Sequence, residues 1–186
     1  MNKTVLEVQN LSKNYNNIKA VSELSLHVDE KMVYGILGPN GSGKTTTLGM
    51  LLGVINSNQG TYSWFDNGSK DENRKRIGSL LETPNFYPYL SAEQNLEITA
   101  KIKEVDDVSN EIQRVLKMVD LYDRRESKFK TFSLGMKQRL AIASALLGGP
   151  EVLVLDEPTN GLDPQGIAEI RDLIIEIGRK GKTIII

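Results

Sequence analysis

A single octapeptide limits the fold more than any other feature of the chain. Gly38-Pro39-Asn40-Gly41-Ser42-Gly43-Lys44-Thr45 fits G-x-x-x-x-G-K-[ST], and it stands between the apolar run Val33 to Leu37 and a helical stripe that begins at Leu48. Glycines let several backbone N–H groups turn inward around an anion. The helix that starts behind them adds a partial charge of about +0.5. The bare pattern also suits a ligand-free glycine-rich turn, but a buried strand before it and a helix after it are the setting of a phosphate-binding loop. In that setting Lys44 reaches the β and γ phosphates of a nucleotide, and the Thr45 hydroxyl ligates Mg²⁺.

The rest of the chain supplies the layers such a loop needs. Val152 to Leu155 and Thr183 to Ile186 are further apolar runs of strand length. Leu48, Leu51, Leu52 and Ile55 fall at helical spacing, as do Ile112, Val115, Leu116 and Val119, and Leu140, Ala143, Ser144 and Leu147. Asp163 as N-cap and Pro164 behind it open a helix with the stripe Ile167, Ile170, Ile174 and Ile177. From Ser91 to Gly148 the pattern is nearly all helical, beginning with a capping box of Ser91 and Gln94. Shorter, more polar runs at Thr4 to Gln9, Ser25 to Val28 and Gly60 to Phe65 predict an antiparallel flap. The expected architecture is α/β: a mainly parallel core sheet, an antiparallel β flap and an inserted α-helical lobe. Residues 1–90 and 149–186 form core and flap, and 91–148 the lobe, within a single domain.

Composition narrows the function. The 186 residues carry 23 Lys and Arg against 24 Asp and Glu, a formal charge of −1. Such a chain lacks the cationic surface that neutralises nucleic-acid phosphates, so no nucleic-acid partner is expected. No apolar run approaches the roughly 18 residues of a membrane span, and MNKTVLEVQNL has no signal-like apolar region, which predicts a soluble, cytoplasmic chain. With no Cys and one His, thiolate and paired-imidazole metal sites are excluded, and His27 reads as an exposed strand residue.

A triphosphate site needs a second carboxylate for its metal at the carboxyl end of another buried strand. Val152-Leu153-Val154-Leu155-Asp156-Glu157 provides one: Asp156 for Mg²⁺, and Glu157 as a general base for the attacking water. Phe132-Ser133-Leu134-Gly135-Met136-Lys137-Gln138-Arg139 places a Ser N-cap and a Gly at another helix start, with neither a preceding strand nor metal carboxylates of its own. It reads as half of an anion site.

In this order the motifs resemble the nucleotide-binding domain of an ATP-binding cassette (ABC) transporter, a P-loop NTPase, along the whole chain. Gly38 to Thr46 is similar to the family's phosphate loop, which implies that Gly38, Pro39, Asn40, Gly41, Ser42, Gly43, Lys44, Thr45 and Thr46 bind ATP. FSLGMKQRL resembles the signature motif, with Leu134 and Met136 where the commonest pattern has Gly and Gln. VLVLDEP resembles the metal strand with its catalytic Glu, and Asn160-Gly161-Leu162-Asp163 the D-loop. Tyr15, 23 residues before Gly38, matches the aromatic that stacks on adenine. The resemblance implies a head-to-tail dimer with ATP between the phosphate loop of one domain and Ser133, Leu134, Gly135 and Met136 of the other. That explains the half-site.

Glu82 stands where most members carry the Gln of the Q-loop, a substitution that, with TPNFYPYLSAEQNL behind it, resembles the subgroup exporting bacitracin and lantibiotic-type peptides. The resemblance makes Glu82 a further catalytic residue and Mg²⁺ ligand. Phe86, Tyr87, Tyr89 and Leu90 lie where a transmembrane permease docks, or else they pack the junction of the lobes. The expected function is ATP hydrolysis driving export through that permease, from a position peripheral to the inner face of the cell membrane. The alternative is a cassette acting on ribosomes or DNA. An unrelated GTPase or nucleotide kinase lacks its N/T-K-x-D motif here and leaves the signature unexplained. The apolar run ending at Ile186 predicts a C-terminally truncated chain, because the family's switch His follows that strand and His27 lies far upstream.

Overall fold

The computed structural model describes residues 3–65, 70–81 and 86–186. In chain order the strands are β1 (Thr4–Tyr15), β2 (Ile18–Asp29), β3 (Val33–Tyr34), β4 (Gln59–Trp64), β5 (Ile77–Leu80), β6 (Val152–Leu155) and β7 (Thr183–Ile185). The helices are α1 (Lys44–Leu51), α2 (Lys70–Lys75), α3 (Ala92–Ile102), α4 (Val108–Met118), α5 (Leu134–Leu146) and α6 (Pro164–Arg179). One sheet is antiparallel in the order β2-β1-β4, and the other is parallel in the order β3-β7-β6-β5. The α/β architecture with a parallel core and an antiparallel flap is therefore present.

β6 explains how the layers assemble. All of its residues are buried, and their side chains alternate between two apolar clusters. Leu153 and Leu155 face α3, α4, α5 and α6, while Val152 and Val154 face α1 and the flap. The indole Nε1 of Trp64 donates 2.7 Å to the Leu51 carbonyl, tying β4 to the end of α1. The sheet is thus covered on both sides, and its carboxyl ends stay free for ligands.

Local capping follows the sequence. Ser91 accepts from the Gln94 N–H and Gln94 reaches back, completing the capping box at the head of α3. Asp163 caps α6 through the Gly166 N–H at 2.9 Å, with Pro164 in the first turn.

The differences lie in the strands. β1 and β2 each run to 12 residues, beyond the expected Thr4 to Gln9 and Ser25 to Val28. Register shifts and the left-handed residues Asn10 and Glu23 break the alternation by which their full length would have been read. Val33 to Leu37, expected as a fully buried strand, gives a two-residue β3 bordered on one side by β7. Val33 is 52% exposed and Leu37 95%. In α6 the buried stripe is Ile170, Leu173, Ile174 and Ile177, whereas Ile167 is exposed.

Lys103, at the end of α3, donates to the carbonyls of Ser144 and Ala145 at 2.8 and 3.2 Å and so holds the last turn of α5. Burial lowers its ammonium from 10.5 to about 8, against the pull of Glu111. The unfolded chain keeps that proton to a higher pH than the folded one, so Lys103 adds stability as pH rises through this window and none below it. Urea unfolding of the wild type and Lys103→Met at pH 7 and pH 10 is expected to move the difference toward the wild type at the higher pH. A difference independent of pH would contradict this.

Candidate functional site

The phosphate loop follows β3 at the carboxyl end of the parallel sheet. The Ser42 N–H closes its turn on the Pro39 carbonyl at 3.1 Å. Gly43 has φ +91°, and a Cβ there would run into the Ala20 carbonyl oxygen of β2 and lie 3.2 Å from a Val21 methyl. Its glycine is required twice, by backbone sign and by the strand pressed against it. A Cβ on Gly38 would strike the Ser42 side chain.

Lys44 is the first residue of α1, and its ammonium turns back over the loop. Nζ donates to the carbonyls of Gly38 at 2.9 Å and Pro39 at 3.1 Å, and lies 3.3 Å from Glu157 Oε1. Its side chain is 16% exposed, against 41% for Glu157. The fold thereby brings Lys44 and the acidic strand end, far apart in sequence, to one point.

Asp156 is buried directly beyond β6, its N–H bonded to the Leu80 carbonyl at 2.8 Å. Glu157 then takes φ +44°, the left-handed region, which costs a residue with a Cβ about 1–2 kcal/mol. The Asn160 N–H closes the turn on the Glu157 carbonyl at 3.0 Å. This reversal buries one carboxylate and leaves its neighbour partly open to solvent.

Mg²⁺ fits this donor set. A buried carboxylate at Asp156 and a hydroxyl at the exposed Thr45 are hard oxygen ligands, the type this cation prefers. Among the described residues no cluster of three His, Cys, Asp or Glu could hold an ion by itself, so a cation held by Asp156 and Thr45 would need further oxygen donors.

Ser133 caps α5, its hydroxyl accepting from the Met136 N–H at 3.3 Å. Leu134 is 46% exposed, and the space where Gly135 would carry a Cβ is open. A Cβ on Gly161 would meet Leu134 at 3.5 Å, which puts the D-loop segment beside the signature segment of the same chain. Among the described residues no hydrogen bond or ion pair joins Ser133 or Gly135 to the phosphate loop. Tyr15, at the end of β1, is 44% exposed.

Glu82 lies outside the described residues. Of the aromatics behind it, Phe86 packs edge-on against Phe129 with centroids 5.2 Å apart, whereas Tyr87 and Tyr89 form an exposed pair at 5.8 Å. Phe86 thus packs into the lobe, while the two tyrosines stay on the surface.

Sequence reasoning missed two polar residues that shape the region. Buried Asn95 accepts from the Tyr87 N–H at 2.8 Å and donates to the Ser91 carbonyl at 2.9 Å, fixing the aromatic segment on α3. Its place on the buried face of an otherwise apolar helical stripe was the available signal. Arg139 of α5 donates to the Val119 carbonyl at 3.2 Å and to Glu169 of α6 at 2.8 Å, and its guanidinium holds the Glu169 carboxyl below the usual range. Nothing in the local pattern marked that bridge.

Residues 21–160 match the family described as ABC transporter. The chain is 46% identical over 180 residues to the bacitracin transport ATP-binding protein BcrA of Bacillus licheniformis, covering 95% of this chain and 58% of that protein. It is 37% identical to the lantibiotic transport ATP-binding protein SrtF of Streptococcus pyogenes, covering 98% of this chain and 79% of that one. The chain thus spans less than two thirds of the bacitracin relative's length. Among solved structures, CbiO1 of Clostridium perfringens, part of an ABC transporter complex, superposes with a TM-score of 0.86 at 31% identity over 98% of this chain and 77% of its own. The cassette MJ0796, a dimer in a post-hydrolysis state with ADP and Pi, gives 0.80 at 27% identity over 97% and 86%. Sequence and fold agree over nearly the full length, and the chain belongs to the ABC transporter family as one of its ATP-binding domains.

Proposed function

We propose that this chain binds and hydrolyses Mg-ATP to drive export of a peptide antibiotic of the bacitracin or lantibiotic kind through a separate transmembrane permease. The observation that carries the reading is the 3.3 Å approach of Lys44 Nζ to Glu157 Oε1, which focuses a phosphate-binding cation and a general base on one point. The loop N–H groups and Lys44 hold the β and γ phosphates, and Tyr15 stacks on adenine. Thr45 and Asp156 would hold Mg²⁺, which would neutralise phosphate charge, and Glu82 is assigned to the same ion by its place in the sequence alone. Glu157 accepts a proton from the attacking water. A second copy, arranged head to tail, brings Ser133, Leu134, Gly135 and Met136 to the γ phosphate, with Asp163 beside the interface.

The core and flap of residues 1–90 and 149–186 bind the nucleotide, while the lobe of residues 91–148 carries the signature. Tyr87 and Tyr89 offer exposed aromatic surface to the permease, which holds the domain at the cytoplasmic face of the membrane. Among the described residues no helix is long and apolar enough to cross a membrane.

The test is resistance. Cells expressing the full-length gene together with a transmembrane permease that it partners are expected to survive raised bacitracin or lantibiotic, and the Glu157→Gln version is expected to lose that protection. Unchanged sensitivity to every such peptide, with Mg-dependent ATP hydrolysis intact, would reject the cargo and keep the motor.

A further inference from the structure

The end of β1 holds an arrangement that the phosphate chemistry does not use. Lys13 and Tyr15 are two apart on one strand, so their side chains share a face. The Lys13 ammonium lies 5.1 Å from the centroid of the Tyr15 ring, within the range of a cation–π contact. It also donates 2.7 Å to the carbonyl of Asn56, in the segment that follows α1. Two more bonds fasten the same stretch: the Asn14 N–H to Asn58 Oδ1 at 2.8 Å, and the Asn58 N–H to the Ser12 carbonyl at 2.9 Å.

We propose that Lys13 is a positioning residue for the nucleotide base, fixing the Tyr15 ring with one face covered by the ammonium and the other offered to adenine. This rests on Tyr15 being the base platform, as put forward above. An exposed tyrosine at a strand end rotates freely about χ1, and that freedom is lost when a base stacks on it. A half-buried lysine tied to the segment behind the phosphate-loop helix removes most of that freedom beforehand. The cation also draws electron density from the ring, which favours stacking with an electron-rich purine. Because Asn56 lies in the short segment that follows α1, the base platform and the phosphate loop are held in one frame. The contact of Gly43 with the Ala20 carbonyl of β2 supplies its second joint.

Calorimetric titration of the chain with Mg-ATP and with inorganic tripolyphosphate separates base from phosphate recognition. Lys13→Met is expected to weaken ATP about fivefold and to leave tripolyphosphate unchanged, while Lys13→Arg restores ATP. Tyr15→Ala is expected to weaken ATP at least as much, and adding Lys13→Met to it should then change nothing further. Equal loss of both ligands in Lys13→Met, failure of Arg to restore, or additive losses in the double variant would each overturn the positioning role while leaving Tyr15 as the platform. Unchanged ATP affinity in Tyr15→Ala would instead remove the platform itself.

Discussion

Lys44→Ala is expected to lower ATP affinity by a factor on the order of 100 or more, the scale of about 3 kcal/mol for a charge-assisted hydrogen bond to phosphate. The structure adds a second loss. The ammonium lies against the Gly38 and Pro39 carbonyls and 3.3 Å from Glu157, so its removal leaves two carbonyl dipoles and a carboxylate facing the incoming phosphates. Repulsion then replaces attraction at the same point. Titration with a fluorescent ATP analogue measures the effect, and an unchanged affinity would take the phosphate loop out of the mechanism.

Glu157→Gln is expected to act in the opposite sense on binding. The amide keeps the shape of the carboxylate but no longer competes with phosphate for Lys44, so ATP should bind as well or better. Hydrolysis, deprived of its base, should fall roughly 10²- to 10⁴-fold. Nucleotide that is held and not cleaved should fasten two chains together. Size-exclusion chromatography with and without Mg-ATP reads this out, and a variant that stays monomeric at saturating ATP argues against the shared site. Adding Ser133→Arg puts a bulky cation at the exposed cap of α5 and is expected to abolish the dimer while each chain's own ATP binding persists.

How much could be read beforehand depends on how local the cause is. Ser91, Ser133 and Asp163 were legible as helix caps because an N-cap is decided by a hydroxyl or carboxylate within three residues of the N–H it accepts. The glycine-rich turn ahead of α1 and the acidic end of β6 were legible as local structure for the same reason, as each is set by a short segment. Failures came where a partner distant in sequence decides. Val33 and Leu37 have the composition of a buried strand, but burial depends on how many strands flank β3, a number no local pattern contains. The left-handed backbone at Glu157 and the pressure of Ala20 on Gly43 are likewise products of assembly. Arg139 looked like an ordinary helix residue until α6 placed Glu169 beside it. The lysine–carboxylate contact lies between: both residues were named from sequence, whereas their meeting belongs to the fold.

Among the described residues β3 stands at the border of the parallel sheet. Its hydrogen-bonding groups on one side are satisfied by β7, with the ladder continued by the Ile36 N–H on the Ile186 carbonyl. No strand among the described residues occupies the other side, and Met32, Val33 and Leu37 are exposed along the segment. An open, oily rim of this kind invites another polypeptide to pair with it. Taken by themselves, these 186 residues should therefore scatter light when concentrated, through a contact indifferent to nucleotide, whereas any further polypeptide seated on that rim should suppress it.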